Sequence, residues 1–468
     1  MQVEATLPNA AGVRKAAPKR ALFGWVMYDW ATQPFFTLIA TFVFAPYFAS
    51  AVASDPIQGQ ALWAYATSVA GFVLALASPY LGAVADSTGA RKPWSVGFGL
   101  VMAAACAVLW LVPPAAPTHL LFLALAAYVV ATIAAELSAV FNNAMMPRLV
   151  PPERLGRLSG TGWAVGYAGG LVSLGVVLAL FAADPTSGLT LAGIEPAFGL
   201  DPAAREGDRF VGPLSAIWFV VFVLPLVLFT PDAPATGTRL AQAAREGGAR
   251  LKATLAEARR DGSIVRFLVA HMAWQNGLVA LFALGGIYGA GVFGWTTVEL
   301  GLFGILLTLT GTAGAVIGGR VDDRMGPRFV ILVSLAALTF VCLGILSLGP
   351  NHVFFVVETA PADGPGLYAT TPEKVFLGLG LLIGAVAGPI QASSRSLLAR
   401  LAPVGDAGRY FGLLALSGKL TAFLGPLAVA IATDLFRTQA AGPAVLILFF
   451  GAGALIMASV PASVRGRG

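Results

Sequence analysis

Apolar residues come in blocks of about 20, the length of helix that crosses a hydrocarbon core of roughly 30 Å. Twelve blocks cover approximately 21–49, 60–82, 93–113, 119–146, 158–182, 212–230, 264–290, 297–319, 328–348, 374–398, 409–432 and 441–460, with more polar stretches between them, the longer ones over 183–211, 231–263 and 349–373. Each predicts one membrane-crossing helix. The expected fold is therefore an all-α polytopic membrane protein with twelve transmembrane helices. Composition agrees: the chain is 57% hydrophobic and 11% charged, with a mean hydropathy of +0.80, where a soluble chain carries about 25% charged residues. The first block is too long for a secretory leader, although "ASAVAS" after Phe48 imitates a cleavage site, so it is read as a retained helix.

The charges orient the protein. With an even number of helices, 24 of the 29 Lys and Arg fall on the side of the two termini, and four (Arg205, Arg209, Lys374 and Arg437) fall on the other; Lys419 lies within a helix. Basic residues mark the cytoplasmic side, so both termini are expected to be cytoplasmic. The net charge of +6 is accounted for by orientation in a lipid bilayer and asks for no nucleic acid. Cys106 and Cys342 each sit inside a predicted helix, which gives no disulfide framework or metal spacing. His119 and His352 lie at external helix edges, leaving His271 alone in the membrane. No nucleotide-binding loop or catalytic cluster is present, so no enzyme activity, cofactor or metal is expected.

The chain repeats itself. "GAVADSTGARK" (82–92) follows helix two and "GRVDDRMGPRF" (319–329) follows helix eight; at an offset of 237, Gly82, Asp86, Gly89 and Arg91 meet Gly319, Asp323, Gly326 and Arg328. "VPPERLGRLSG" (150–160) matches "APVGDAGRYFG" (402–412) at an offset of 252, pairing Gly156, Arg157 and Gly160 with Gly408, Arg409 and Gly412. Two ordered matches divide the chain into a tail (1–20), a six-helix bundle (21–230), a linker (231–263), a second six-helix bundle (264–460) and a second tail (461–468). The linker's Ala/Arg/Glu-rich part predicts a short amphipathic helix at the membrane surface. Parallel repeats of six helices are a transporter architecture.

The doubled Gly-x-x-x-Asp-x-x-Gly-x-Arg motif resembles the signature loop of the major facilitator superfamily. "YDWATQPFFTLIATFVFAPYF" in helix one, "SSRSLLARLAP" (393–403) and "GRYFGLLALSGKLTAFLGP" (408–426) are similar to motifs of its vacuole-effluxer-like branch. The resemblance implies two pseudo-symmetric bundles, alternating access and, from the vacuolar members, amino-acid export. It also implies that helices one, four, seven and ten line a central cavity. Asp86 would lock against the start of helix eleven near Arg409, and pseudo-symmetry would set Asp323 near Arg157, closing a cytoplasmic gate. Gly82 and Gly319 are expected at tight turns, and Gly89 and Gly326 at positive φ. Ser87 stands where the family carries a basic residue, which implies a weaker first latch. Topology and turn chemistry alone remain the alternative account of both loops.

Several polar side chains lie deep in the blocks. At a rise of 1.5 Å per residue, Asp29 is about 14 Å beyond Arg20, and Lys419 about 15 Å beyond Arg409. Glu136 is twelve residues from Arg148. A charge at such depth costs about 3 kcal/mol or more and faces a cavity or a partner. Asp29, Gln33 and Thr37 recur every four residues, and Pro34 should kink the same helix by removing the donor to the Trp30 carbonyl. Glu136 and Asn143, His271 and Gln275, and Gln391 and Arg395 give helices four, seven and ten polar stripes too. Arg395, five residues from Arg400, is expected to snorkel outward or to join the gate. Tyr28 and Trp30 flank Asp29 and either touch substrate or pack in the core. Asp29 and Glu136 suit an ammonium and Lys419 a carboxylate; alternatively one carboxylate carries a proton, or Asp29 and Lys419 brace two helices. The expected function is a proton-coupled secondary transporter, a monomer in a bacterial inner membrane, exporting a small polar solute of the amino-acid type. A lipid or drug exporter on the same scaffold is the alternative, and a receptor or membrane enzyme the remote one.

Overall fold

The computed structural model describes residues 16–461, apart from 55, 184–186, 294, 296, 360–366, 403–406, 423 and 437–440. Helix one spans Lys19–Val52, helix two Pro56–Thr88, helix three Lys92–Val108, helix four Thr118–Leu149 and helix five Leu155–Leu180. Helix six runs over Glu206–Phe222 and continues through Leu224–Phe229. A linker helix, Leu240–Arg260, precedes helix seven (Gly262–Phe293), eight (Thr297–Met325), nine (Pro327–Leu346) and ten (Thr371–Leu401). Helix twelve is Ala441–Ala458. Prolines open several helices in the first turn, where no amide partner is needed: Pro93, Pro327 and Pro372, the last behind a Thr370–Glu373 capping box.

Eleven of the described helices are long and apolar enough to cross a membrane on their own. Helix eleven is divided into Ala407–Leu420 and Leu424–Phe436, so the single block expected over 409–432 is two shorter helices. Pro426, in the first turn of the second segment, has no amide to offer the Ala422 carbonyl, which favours a break there. Between helices nine and ten, His352–Val353 and Val357–Glu358 form a two-stranded antiparallel hairpin.

The first and last described residues lie on one face, here the terminal face. The Ala17 amide donates to the Leu149 carbonyl at the end of helix four. Arg266 and Arg328 reach the Ser459 and Ala458 carbonyls after helix twelve.

Helix one does not simply kink at Pro34. The Trp30 carbonyl that Pro34 leaves without a partner accepts a hydrogen bond from Trp218 Nε1 on helix six (3.1 Å), and the two indole rings stack with centroids 5.7 Å apart. Beyond Pro34 the helix widens to π-helical geometry over Phe35–Phe42, ending with Val43 N bonded to Leu38 O. Such a break is tolerated at membrane depth because protein supplies the missing donor.

The two halves meet through glycines. A methyl placed on Gly82 of helix two would lie 2.5 Å from the Gly408 carbonyl of helix eleven, and one on Gly412 2.6 Å from the Ser78 carbonyl. The pseudo-symmetric crossing of helices five and eight repeats this, with Gly319 against the Gly156 carbonyl (2.6 Å) and Gly160 against Ala315 and Gly319. Gly82 and Gly319 are thus helical residues at backbone crossings, not turn residues as expected. Without a hydrophobic drive between helices in lipid, such close approach supplies the packing.

Trp218→Phe removes the only described donor to the Trp30 carbonyl while keeping the ring stack. It should destabilise the protein by about 1–3 kcal/mol, read as a lower unfolding temperature in detergent; an unchanged temperature would mean that the carbonyl finds another donor.

Candidate functional site

The polar seam of helix one presses on a matching glycine stripe of helix five. Gly162 faces Asp29 Oδ2, Gly166 faces Gln33, and Gly170 faces Thr37 Oγ1. Both series advance by four residues, so two helix faces mesh, and any side chain on the stripe would displace the seam. Asp29 is thereby directed to the interface between halves, where Arg395 of helix ten meets it: Nη1 and Oδ2 are 3.5 Å apart. This exceeds an ordinary hydrogen-bond length and makes a loose ion pair. The guanidinium has further partners in the first half. Nε donates to Ser159 Oγ (3.0 Å), Nη2 to the Ser159 carbonyl (2.7 Å) and Nη1 to Asn143 Oδ1 (3.2 Å). Trp25 and Trp163 present ring faces at 5.8 and 5.3 Å, adding cation–π attraction in a dry setting.

Arg395 therefore neither snorkels nor joins the loop gate; it is buried and crosses to the other bundle. Among the described side chains Arg395 is the ion-pair partner of Asp29; Lys419, expected as one alternative brace for Asp29, has a side chain outside the described ones. A signal was available: the offset of 252 makes Asn143 and Arg395 equivalent positions, and residues related by a pseudo-twofold axis can meet only on that axis.

Above this pair, on the side away from the terminal face, lies a cavity of about 950 Å³. Helices one, five, seven, eight and ten supply most of its wall, with Gln33, Thr37 and Tyr167 at its inner end. Its sides are apolar and aromatic, including Phe36, Phe42, Phe282, Phe303 and Phe376. Helix four, expected to line it, contributes no lining residue, whereas helices five and eight do. Of the deep polar candidates whose side chains are described, only Gln33 is on the wall.

The other candidates with described side chains pack between helices. Glu136 is half-buried on helix four, within electrostatic reach of Tyr28, and the Tyr28 hydroxyl donates to Ser138 Oγ at 2.7 Å. His271 Nδ1 is 2.9 Å from Ser417 Oγ; the ring is buried rather than interfacial. Gln391 Nε2 donates to Gln275 Oε1 at 3.3 Å. Tyr28 and Trp30 belong to the packed interior.

Toward the terminal face the halves are closed by carboxylates at helix starts. Asp86 accepts from the backbone amides of Gly408 (3.0 Å) and Arg409 (2.8 Å) at the start of helix eleven. Asp323 accepts from the amide of Arg157 at the start of helix five (3.0 Å), and the Arg157 side chain adds an ion pair at 3.4 Å. A carboxylate at a helix start meets free amides and the positive end of the helix dipole. The bonds from Gly408 and Arg409 run through amides rather than the Arg409 guanidinium. Arg91 Nη2 pairs with Asp86 at 2.8 Å, while Arg328 reaches the Ala458 carbonyl, so the two arginines of the repeat have different tasks. Gly89 and Gly326 have φ of +84° and +87°.

Two features were not foreseen. Asp322, buried beside Gly156, accepts from Arg400 (2.7 Å) and Ser396 (3.1 Å) of helix ten. The segment after helix six straps the first signature loop: the Asp232 carboxylate accepts from the Arg91 and Lys92 amides (2.8–3.0 Å), and Thr236 Oγ1 donates to the Ser87 carbonyl (2.6 Å).

Comparison with known proteins agrees with this fold. Residues 50–467 match the model of the family described as vacuole effluxer Atg22 like. The MFS-type transporter YxiO of Bacillus subtilis (strain 168) is 25% identical over 441 residues, covering 93% of this chain and 94% of that protein. Autophagy-related protein 22 of Cryptococcus neoformans var. neoformans serotype D (strain JEC21 / ATCC MYA-565) is 25% identical over 327 residues, 66% of this chain but only 50% of the fungal protein. Among solved structures, the major facilitator transporter FucP in its outward conformation superposes with a TM-score of 0.69 at 13% identity, covering 95% of this chain and 98% of that one. The proton:xylose symporter XylE gives 0.64 at 14%, covering 95% of each. At such identities these likenesses speak for the fold alone: a twelve-helix major facilitator bundle.

Asp86→Asn and Asp323→Asn should each weaken the closed end by about 1.5–3 kcal/mol, the scale of a hydrogen bond to a charged group. Spin labels at Glu153→Cys, just before helix five, and Met325→Cys, the last residue of helix eight, exposed sites in opposite halves, read the result: longer distances are expected in each variant. Unchanged distances would remove these caps from the closing interaction.

Proposed function

Since the chain belongs to the vacuole effluxer Atg22-like family, carried on the major facilitator fold, we propose that it is a proton-coupled exporter of a small zwitterion of the amino-acid type, working by alternating access. The observation that carries this reading is the Asp29–Arg395 pair: a carboxylate and a guanidinium from opposite halves, loosely joined beneath a large cavity. A zwitterion reaching the inner end of the cavity offers its carboxylate to Arg395 and its ammonium to Asp29. Because the pair is loose at 3.5 Å, a substrate can divide it without first breaking a short bidentate bond. A proton on Asp29 divides it as well, releasing the guanidinium to a substrate carboxylate, and this links proton and solute movement.

Arg395 also ties helix ten to Ser159 of helix five, so opening the terminal face must strip it of partners. A buried cation without partners costs several kcal/mol. Substrate is the replacement that makes the transition affordable, which favours exchange of loaded states over leakage. The charge distribution supports a cytoplasmic terminal face, so the cavity faces outward here, and the Bacillus relative supports a bacterial inner membrane.

The apolar and aromatic cavity walls favour one second reading, an exporter of an amphipathic drug or lipid on the same scaffold. Counterflow of radiolabelled amino acids in proteoliposomes, with and without a pH gradient, separates the two. Counterflow is expected in the wild type and should fall at least about 100-fold in Arg395→Gln, the scale of an orphaned buried charge. Asp29→Asn, which loses the ammonium contact and the proton site together, should weaken counterflow and abolish gradient-driven accumulation. Flat traces for every amino acid would reject the zwitterion and move the test to drug and lipid flux.

A further inference from the structure

The linker helix, Leu240–Arg260, divides its surface between two tasks. One face is bound to the bundle: Ala243 is fully buried, Gly247 lies against Tyr80 and Val84 of helix two, and the Ala244 carbonyl accepts from the Tyr80 hydroxyl at 2.7 Å. The other face is open. Arg245, Lys252 and Arg259 are exposed and recur every seven residues, which places them along one stripe of an α-helix with two turns between neighbours. The exposed residues between them with described side chains, Ala249, Ala253 and Ala256 among them, are small. The helix carries five basic residues against Glu246 and Glu257, and Glu246 accepts a hydrogen bond from Gln242 (2.9 Å).

The level of this stripe matters. Tyr80 and Val84 lie four to eight residues before the end of helix two at Thr88, roughly 6–12 Å inside that end. A helix packed there runs beside the membrane-crossing bundle at interfacial depth, not out beyond it. A surface helix with a basic outer face at this level meets lipid headgroups, and each Lys or Arg near an anionic leaflet contributes about 1 kcal/mol. We propose that the linker helix is a docking surface for anionic lipid headgroups, with Arg245, Lys252 and Arg259 as the contacting residues. A lipid held there also steadies what the linker is joined to: the strap from Asp232 to Thr236 on the first signature loop. Docking thus favours the closed terminal face.

The purified full-length protein in detergent can be titrated with phosphatidylglycerol or phosphatidylcholine and read by native mass spectrometry, independently of any transported solute. The wild type should take phosphatidylglycerol in preference, and each of Arg245→Gln, Lys252→Gln and Arg259→Gln should lower that affinity about fivefold with phosphatidylcholine binding unchanged. Affinity within twofold of wild type in the triple variant, or equal loss for both lipids, overturns the proposal. Should the triple variant misfold, salt decides: wild-type binding of phosphatidylglycerol should weaken between low and high ionic strength, and salt-independent binding overturns it. Poly-glutamate competing as tightly as phosphatidylglycerol would assign the stripe to a soluble acidic partner and equally overturn the lipid reading.

Discussion

Two helical bundles in lipid must hold together at one end without a hydrophobic force to press them, and must also be able to part. Here the contact is made by backbone. Helices two and eleven, and helices five and eight, cross where glycines remove the side chains. At each crossing an aspartate from one half takes the free amides at a helix start in the other. Such a joint is short-ranged and directional. Its stabilisation is lost within a small separation, so it behaves as a latch with two states rather than as a graded hydrophobic surface.

Arg395 extends this joint toward mid-membrane. A guanidinium has five donors in fixed directions, and here Ser159, Asn143 and Asp29, all of the first half, face its nitrogens. The cation belongs to helix ten by covalent bonds and to the first half by electrostatics. Burial without Asp29 would leave it uncompensated, and Asp29 without Gly162 would have no room. The glycine stripe of helix five is therefore as much a part of the charge network as the charges.

Much of this was legible in the sequence because the repeat preserves the residues of the latch. The offsets of 237 and 252 set Gly82 against Gly319 and Gly156 against Gly408 before any coordinates; the helix-start role of Asp86 followed from the family resemblance and that of Asp323 from the pseudo-symmetry of the repeat. What stayed hidden depended on convergence between helices. Counting residues from Arg400 placed Arg395 near an interface and made snorkelling the natural reading, since depth along one helix says nothing about which helices crowd it. The seam of Asp29, Gln33 and Thr37 was visible as a period of four, yet its receiving surface was a glycine stripe, and glycines carry no chemical signature of what they admit. The break in helix eleven was masked by hydropathy, which Pro426 and Gly425 barely change.

The cavity is where polarity and volume disagree, and the disagreement is informative. Its inner end offers an amide, a hydroxyl and a phenol in Gln33, Thr37 and Tyr167, with formal charge one turn further in; its walls are aromatic. A wholly polar solute would gain nothing from those walls, and a wholly apolar one would leave the inner end unsatisfied at a cost of about 1–3 kcal/mol per buried group. The zwitterion proposed above matches this lining best with an apolar body behind its charged end. Such a molecule would lie along the cavity with its charge toward Arg395, so the same end that is recognised is the end that can divide the ion pair between the halves.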